Sequence, residues 1–336
     1  MNKREWVLKA MHNEETDRIP AGFWYHYLQD ELRDGLADPS LIEQNIAGHK
    51  KFYCEYRPDF LKIMTDGFFL YPNEIFAGAE KVSGLRGIKP LGEKHPWIEK
   101  QVEFAKTLTS LFGKEVLCFY NIFSPATTFR FVRQGRLGKR ADDMLARFAG
   151  EDPKMVKQAL DTAAEDLGCL ARRVIAEGGA DGIYFSTQDP EGLDGEAHKK
   201  VVSPSDISVL EEANRAGSAK APGALNLLHV CGYEGHRNDL SRYRDYPAQV
   251  INWASVCEKV PLAEGKKLFH NKPVIGGFDN TAGSLLFTGD EEAVKAETRR
   301  LIAGAGRRGV ILGADCTIPR NTETRRLNWV RDACNL

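Results

Sequence analysis

The chain lacks any apolar run long enough to span a bilayer, and its start, M-N-K-R-E-W-V-L-K-A, lacks the uninterrupted apolar stretch of a signal peptide. A cytoplasmic protein is expected. It also lacks a surplus of either charge: 46 basic against 47 acidic residues give a net charge of -1, which recommends neither nucleic acid nor a membrane surface as a partner. The seven cysteines, Cys54, Cys118, Cys169, Cys231, Cys257, Cys316 and Cys334, are odd in number, scattered and without a C-x-x-C pair, so a disulfide framework is excluded and reduced thiols are expected. No G-x-x-x-x-G-K-[ST] suggests a P-loop fold, and there is no low-complexity segment, repeat or linker.

What is there is an alternation of apolar, strand-like runs with charged amphipathic segments, the pattern of repeated β-α units and a parallel sheet. Eight runs read as strands: Ala21 to Tyr25, Phe60 to Met64, Val116 to Tyr120, Gly182 to Ser186, Ala224 to His229, Val250 to Trp253, Pro273 to Gly277 and Gly309 to Gly313. Between them, Pro153 to Glu177 is the clearest helix, capped by Asp152 and stopped by Gly178-Gly179, and Asp290 to Ala305 behaves similarly. We expect an α/β fold, a single (β/α)8 barrel domain over residues 1–336 with a helical N-terminal extension.

His229 and Cys231 stand in L-N-L-L-H-V-C-G, and Cys316 in G-V-I-L-G-A-D-C-T-I-P. Residues at i and i+2 of an extended segment point the same way, so the first two can offer a nitrogen and a sulfur to one ion, with Cys316 completing a His-Cys-Cys set. Three protein ligands with one position open is the pattern of a catalytic zinc. Singly, a free cysteine is most often a buried thiol and a histidine beside a strand most often a packed one. Their joint placement at the carboxyl ends of two strands, where barrel enzymes keep their active sites, favours the metal. The other five cysteines have no ligand-spaced neighbour and read as core or surface thiols.

L-K-A-M-H-N-E-E-T-D-R-I-P, G-G-A-D-G-I-Y-F-S, L-L-H-V-C-G, V-I-N-W, V-I-G-G-F-D-N and G-V-I-L-G-A-D-C-T-I-P together resemble the uroporphyrinogen decarboxylase superfamily over nearly the whole chain. The resemblance implies the same barrel and two chemistries. One branch decarboxylates the acetate arms of uroporphyrinogen without a cofactor; the other comprises zinc methyltransferases that move a methyl group from a methylated corrinoid protein to a thiol such as coenzyme M. The H-x-C motif with a distant cysteine marks the second and is present. The arginines of the decarboxylase's R-Q-A-G-R segment are missing, since no arginine lies between Arg18 and Arg33, and with them goes bidentate carboxylate recognition. Asp66 stands about where the decarboxylase keeps its pyrrole-binding aspartate.

The expected cofactors are therefore zinc and a methylated corrinoid as co-substrate. The partners are a corrinoid-carrying protein and a small thiol acceptor, with no nucleic acid and no membrane; a homodimer is compatible. No D-x-H-x-x-G motif is present, so the corrinoid arrives on a partner or free. The alternatives are a cofactor-free lyase acting through Asp66, and a corrinoid- or metal-binding barrel without turnover. Gln188, Asp189 and Asp315 are placed to fill the open position or orient the histidine, Gln188 first. His26, in F-W-Y-H-Y, is a pocket candidate, while Phe23 and Tyr25 point inward. Tyr120, Asn121, Ser186, Asp279 and Asn280 are expected at the substrate rim. The basic run Arg130 to Arg140 reads as a solvated helix face.

Overall fold

The computed structural model describes residues 1–29, 33–65 and 68–335. Seven strands, β1 (Phe60–Ile63), β2 (Leu117–Phe123), β3 (Gly182–Thr187), β4 (Leu227–Val230), β5 (Val250–Trp253), β6 (Val274–Phe278) and β7 (Val310–Ala314), run parallel and lie side by side in chain order. Both faces of the sheet are covered, which is why the strands read as near-continuous apolar runs.

Alternate residues divide between two cores. Phe60, Phe119, Tyr184, Leu227, Val250, Ile275 and Ile311 gather on the inner side of the curled sheet, whereas Ile63, Cys118, Ile183, Leu228, Ile251 and Val310 face the helical layer outside. Helices Pro96–Phe112, Pro125–Leu137, Pro153–Ala176, Ser203–Ser218 and Glu291–Ala305 contribute to that layer. Asp152 accepts the Met155 amide at 3.0 Å and Asp290 the Ala293 amide at 2.9 Å, starting two of them with side-chain caps.

Helix α1 (Lys3–Met11) lies across the amino ends of the strands. Its Arg4 guanidinium bonds the Gly113 and Val116 carbonyls and the Asp181 carboxylate, while the Lys3 ammonium bonds the Arg57 and Pro58 carbonyls. Val7, Ala10 and Met11 sink into the inner core and fill that end.

The segment expected as the first of eight strands differs from expectation: around Ala21 it forms a single parallel bridge to Leu312, not a strand. Gly22 N–H donates to the Leu312 carbonyl at 2.9 Å, and Asp59 N–H donates to the Ala21 carbonyl at 3.1 Å, so the segment touches both β7 and the start of β1. Glycine is required for this approach, because a Cβ on Gly22 would stand 2.2 Å from the Phe60 ring and one on Gly313 would stand 2.8 Å from the Gly22 carbonyl oxygen. The segment's alternation is also opposite to expectation. Trp24 joins the inner core beside Tyr184, and Phe23 packs outside on Tyr56 and Phe278. Tyr25 packs its ring edge on Phe52 in the same outer layer. Among the described residues no helix is long and apolar enough to cross a membrane.

Candidate metal centre at the carboxyl end of the sheet

His229 is an inward residue of β4, two places beyond Leu227. Cys231 lies just past the strand end, where its N–H still donates to the Thr187 carbonyl at 2.8 Å and so keeps the inward direction of His229. Cys316 follows β7 by two residues. The turn carrying it is pinned by Asp315, whose N–H donates to the Phe278 carbonyl and whose carboxylate accepts the Ser255 hydroxyl and the Val256 N–H, both at 2.7 Å. Burial pushes the Asp315 carboxyl up to about 7.

The three donor atoms lie within 4.8 Å of one another. The sulfurs of Cys231 and Cys316 are 3.6 Å apart, and Cys316 Sγ is 3.5 Å from His229 Nε2. Tetrahedral zinc with ordinary bond lengths sets neighbouring sulfurs ~3.8 Å apart and a sulfur and nitrogen ~3.6 Å apart. The donor set therefore fits such an ion on these two spacings.

The histidine's tautomer is fixed from behind. Asn252, an inward residue of β5, donates through Nδ2 to the Ile275 carbonyl at 2.8 Å and, more weakly, to the Ala314 carbonyl at 3.4 Å. Carbonyls only accept, so the amide oxygen must face the other way, where it accepts His229 Nδ1–H at 2.5 Å and the Tyr184 hydroxyl at 2.8 Å. The lone pair is left on Nε2, aimed at the two sulfurs. The Cys231–Cys316 hydrogen bond lifts the Cys231 thiol well above its usual value and draws Cys316 well below it, and the nearby His229 and Lys62 further favour the Cys316 thiolate. Lys62, buried on the inner side of β1, sits 4.6 Å over the Tyr184 ring and 5.4 Å from that of Trp24.

A cleft of about 940 Å³ opens over the sulfurs. His26, Ser186, Gln188, Asp279 and Asn280 line it, as expected positions go. Tyr120 does not belong with them. β2 runs three residues beyond its expected end, so Tyr120 falls on the strand's outer face, fully buried, with its hydroxyl donating to Gln101 at 3.1 Å. Asn121 points inward but lies deep, accepting the Ser186 hydroxyl at 2.9 Å. Asp189 is occupied by the Tyr243 hydroxyl and the Asp239 N–H, away from the sulfurs' bonds. Asp66 lies outside the described residues. The basic run is not simply a solvated face: Arg133 is fully buried with its guanidinium 3.4 Å from the Phe129 ring centroid, and Arg130 lines the cleft. Asn252, Tyr184 and Lys62 went unmarked in the sequence. The available signal was a polar residue at an inward position of an otherwise apolar strand.

The profile of the family described as uroporphyrinogen decarboxylase (URO-D) matches residues 70–335. Among curated proteins none matches the chain by sequence. A methyltransferase from Methanosarcina mazei is similar in structure, with a TM-score of 0.75 and 15% identity over 100% of this chain and 98% of that one. A B12-independent methionine synthase from Shewanella sp. W3-18-1 in complex with selenomethionine follows at 0.58, with 13% identity over 94% and 97%. A putative vitamin-B12 independent methionine synthase from Listeria monocytogenes gives 0.54, with 15% identity over 95% and 97%. At such identities the likeness is one of fold, while the profile covers more than half of the sequence: the chain belongs to the uroporphyrinogen decarboxylase family.

Proposed function

We propose that the protein is a zinc-dependent methyltransferase that moves a methyl group from a methylated corrinoid to a thiol. The observation that carries this reading is the His229, Cys231 and Cys316 triad at tetrahedral spacing, with Asn252 fixing the histidine tautomer. Zinc held there would lower the pKa of a thiol at its remaining position, so that the thiolate persists at neutral pH.

The chain's own residues do the rest. Asn252 keeps Nε2 free for coordination, and Asp315 holds the turn that presents Cys316. Two cysteinates and a neutral imidazole leave a divalent ion formally uncharged, so a bound thiolate stays electron-rich. The cleft is at the upper end of ordinary small-molecule sites and is open enough for a thiol below and a macrocycle above. The lyase alternative needs cations for many carboxylates. Among the described residues the cleft offers Arg130 and Arg320, and Arg320 is bonded to the Leu28 carbonyl.

In this reading the segment at Ala21 serves as the eighth stave of a (β/α)8 barrel and α1 is its N-terminal extension. The enzyme works in the cytoplasm with a corrinoid-carrying protein. Metal analysis of the parent and of Cys231→Ser tests the proposal: about one zinc per chain, lost in the variant, is expected, followed by methyl transfer from a free methylated cobamide to a thiol. No zinc in either protein overturns it.

A further inference from the structure

Beside the main cleft lies a second, more polar cavity of about 390 Å³. The two share a doorway whose walls include Arg130, Gln134, Gln188 and Glu234. Two of these groups are short of partners. Gln188 is 4% exposed, yet neither its amide nitrogen nor its amide oxygen has a hydrogen-bond partner. The Arg130 Nε–H is likewise buried and unmatched, its guanidinium lying 5.1 Å from the centroid of the Phe131 ring. Buried polar groups are rarely left so, because each costs the free energy of a lost hydrogen bond. Gln188 directly follows β3, whose Thr187 carbonyl accepts the Cys231 N–H, so the doorway adjoins the metal triad.

Atom accounting says what would satisfy it. The Arg130 Nε–H and the Gln188 amide N–H groups both need an acceptor, and a carboxylate with two oxygens serves them together. The Gln188 oxygen then needs a donor close to that carboxylate, and the exposed Glu234 carboxylate on the same doorway favours that donor being cationic. A carboxylate and an ammonium on adjacent positions are the tail of an α-amino acid. A singly anionic tail would bring the Gln188 oxygen no donor of its own, and a cationic one would meet Arg130.

We propose that this doorway is the subsite for the tail of the methyl acceptor, and that the acceptor is an α-amino-acid thiol. The assignment of the tail to an acceptor rests on the methyl-transfer reading above; the subsite itself does not. The methylated products lack a thiol and need no metal to bind, so they serve as probes. Calorimetric titration of the full-length protein, as purified and after chelator treatment, would use L-methionine and S-methyl-L-cysteine. Each is compared with its analogue lacking the ammonium and its analogue lacking the carboxylate.

The expected result is that the better amino acid binds roughly tenfold or more tightly than either of its analogues, with or without metal. Gln188→Met and Arg130→Met, checked for an unchanged melting temperature, should each narrow that gap. Equal or tighter binding of the analogue without the ammonium, a gap that survives both substitutions, or no binding of any probe would overturn the subsite. Loss of the preference in a protein that holds zinc and transfers methyl groups removes this inference alone. Preference retained in a protein that takes up no zinc removes the transfer chemistry and leaves the subsite.

Discussion

Asn252 is held by carbonyls that leave its amide no choice of orientation, and His229 inherits its tautomer from that constraint. Replacing Asn252 with leucine should free the imidazole to rotate or to carry its proton on Nε2. Metal affinity, measured by competition with a coloured chelator, is expected to fall about 10- to 100-fold. Asn252→Asp, which can still accept from Nδ1–H but sets an acceptor oxygen against the Ile275 carbonyl, should recover only part of it; an unchanged affinity in the leucine variant would show that the tautomer is not set here. His229 and Cys231 were legible in the sequence because the two-residue period of a strand aims both at one point. Asn252 obeyed the same period in V-I-N-W, but a lone asparagine carries no motif. Tyr120 and Asn121 were paired in expectation, although adjacent strand residues must face opposite ways. β2 continues through both, so they alternate, Tyr120 outward with Cys118 and Asn121 inward with Phe119.

Among the elements, α1 and the Ser203–Ser218 helix each make a separable prediction. Met11 is 4% exposed at the inner end of α1, and Met11→Ala should cost about 2–4 kcal/mol in chemical denaturation, the cost of a core cavity rather than a surface trim. Asp206, fully buried on the second helix, accepts the Tyr246 hydroxyl at 3.1 Å, and burial pushes its carboxyl from an ordinary 3.8 up to about 8. The folded protein thus keeps a proton there that the unfolded chain releases, so this contribution is full below about 3.8 and is lost as pH rises toward 8. Buried His198, whose pKa is drawn from 6.5 to about 4, opposes it only below pH 6.5. Between pH 6.5 and 8 the parent should therefore lose roughly 2 kcal/mol relative to Asp206→Asn. Parallel stability curves for the two proteins would refute the assignment. Helix and strand existence was readable from periodicity and caps such as Asp152. The burial of Arg133 was not, because a basic run alone does not say which face of the Pro125–Leu137 helix meets the core.

At the scale of the whole molecule, the two cores form without the two cysteines of the donor triad, which stand on turns beyond the ends of β4 and β7, and His229 is the one donor inside a strand. Removing metal with a chelator should leave the far-ultraviolet circular dichroism unchanged and lower the melting temperature by a few degrees, restored as zinc is added. Wholesale unfolding on chelation would mark the ion as structural instead. The order of the seven strands was legible because β-α units follow one another in space as in sequence. The partial pairing at Ala21 was not, since the apolar run Ala21 to Tyr25 reads as a strand while the structure gives it one bridge, at Leu312. Because α1 stoppers one end of the curled sheet, the cleft at the other end is the described way to the sulfurs. If a bulky methyl donor docks over that cleft it acts as a cork. Under the proposed methyl transfer the smaller partner would then be seated before the donor arrives and its methylated form released after the donor leaves, an order to which a nine-residue helix at the far end of the molecule contributes by filling the other end.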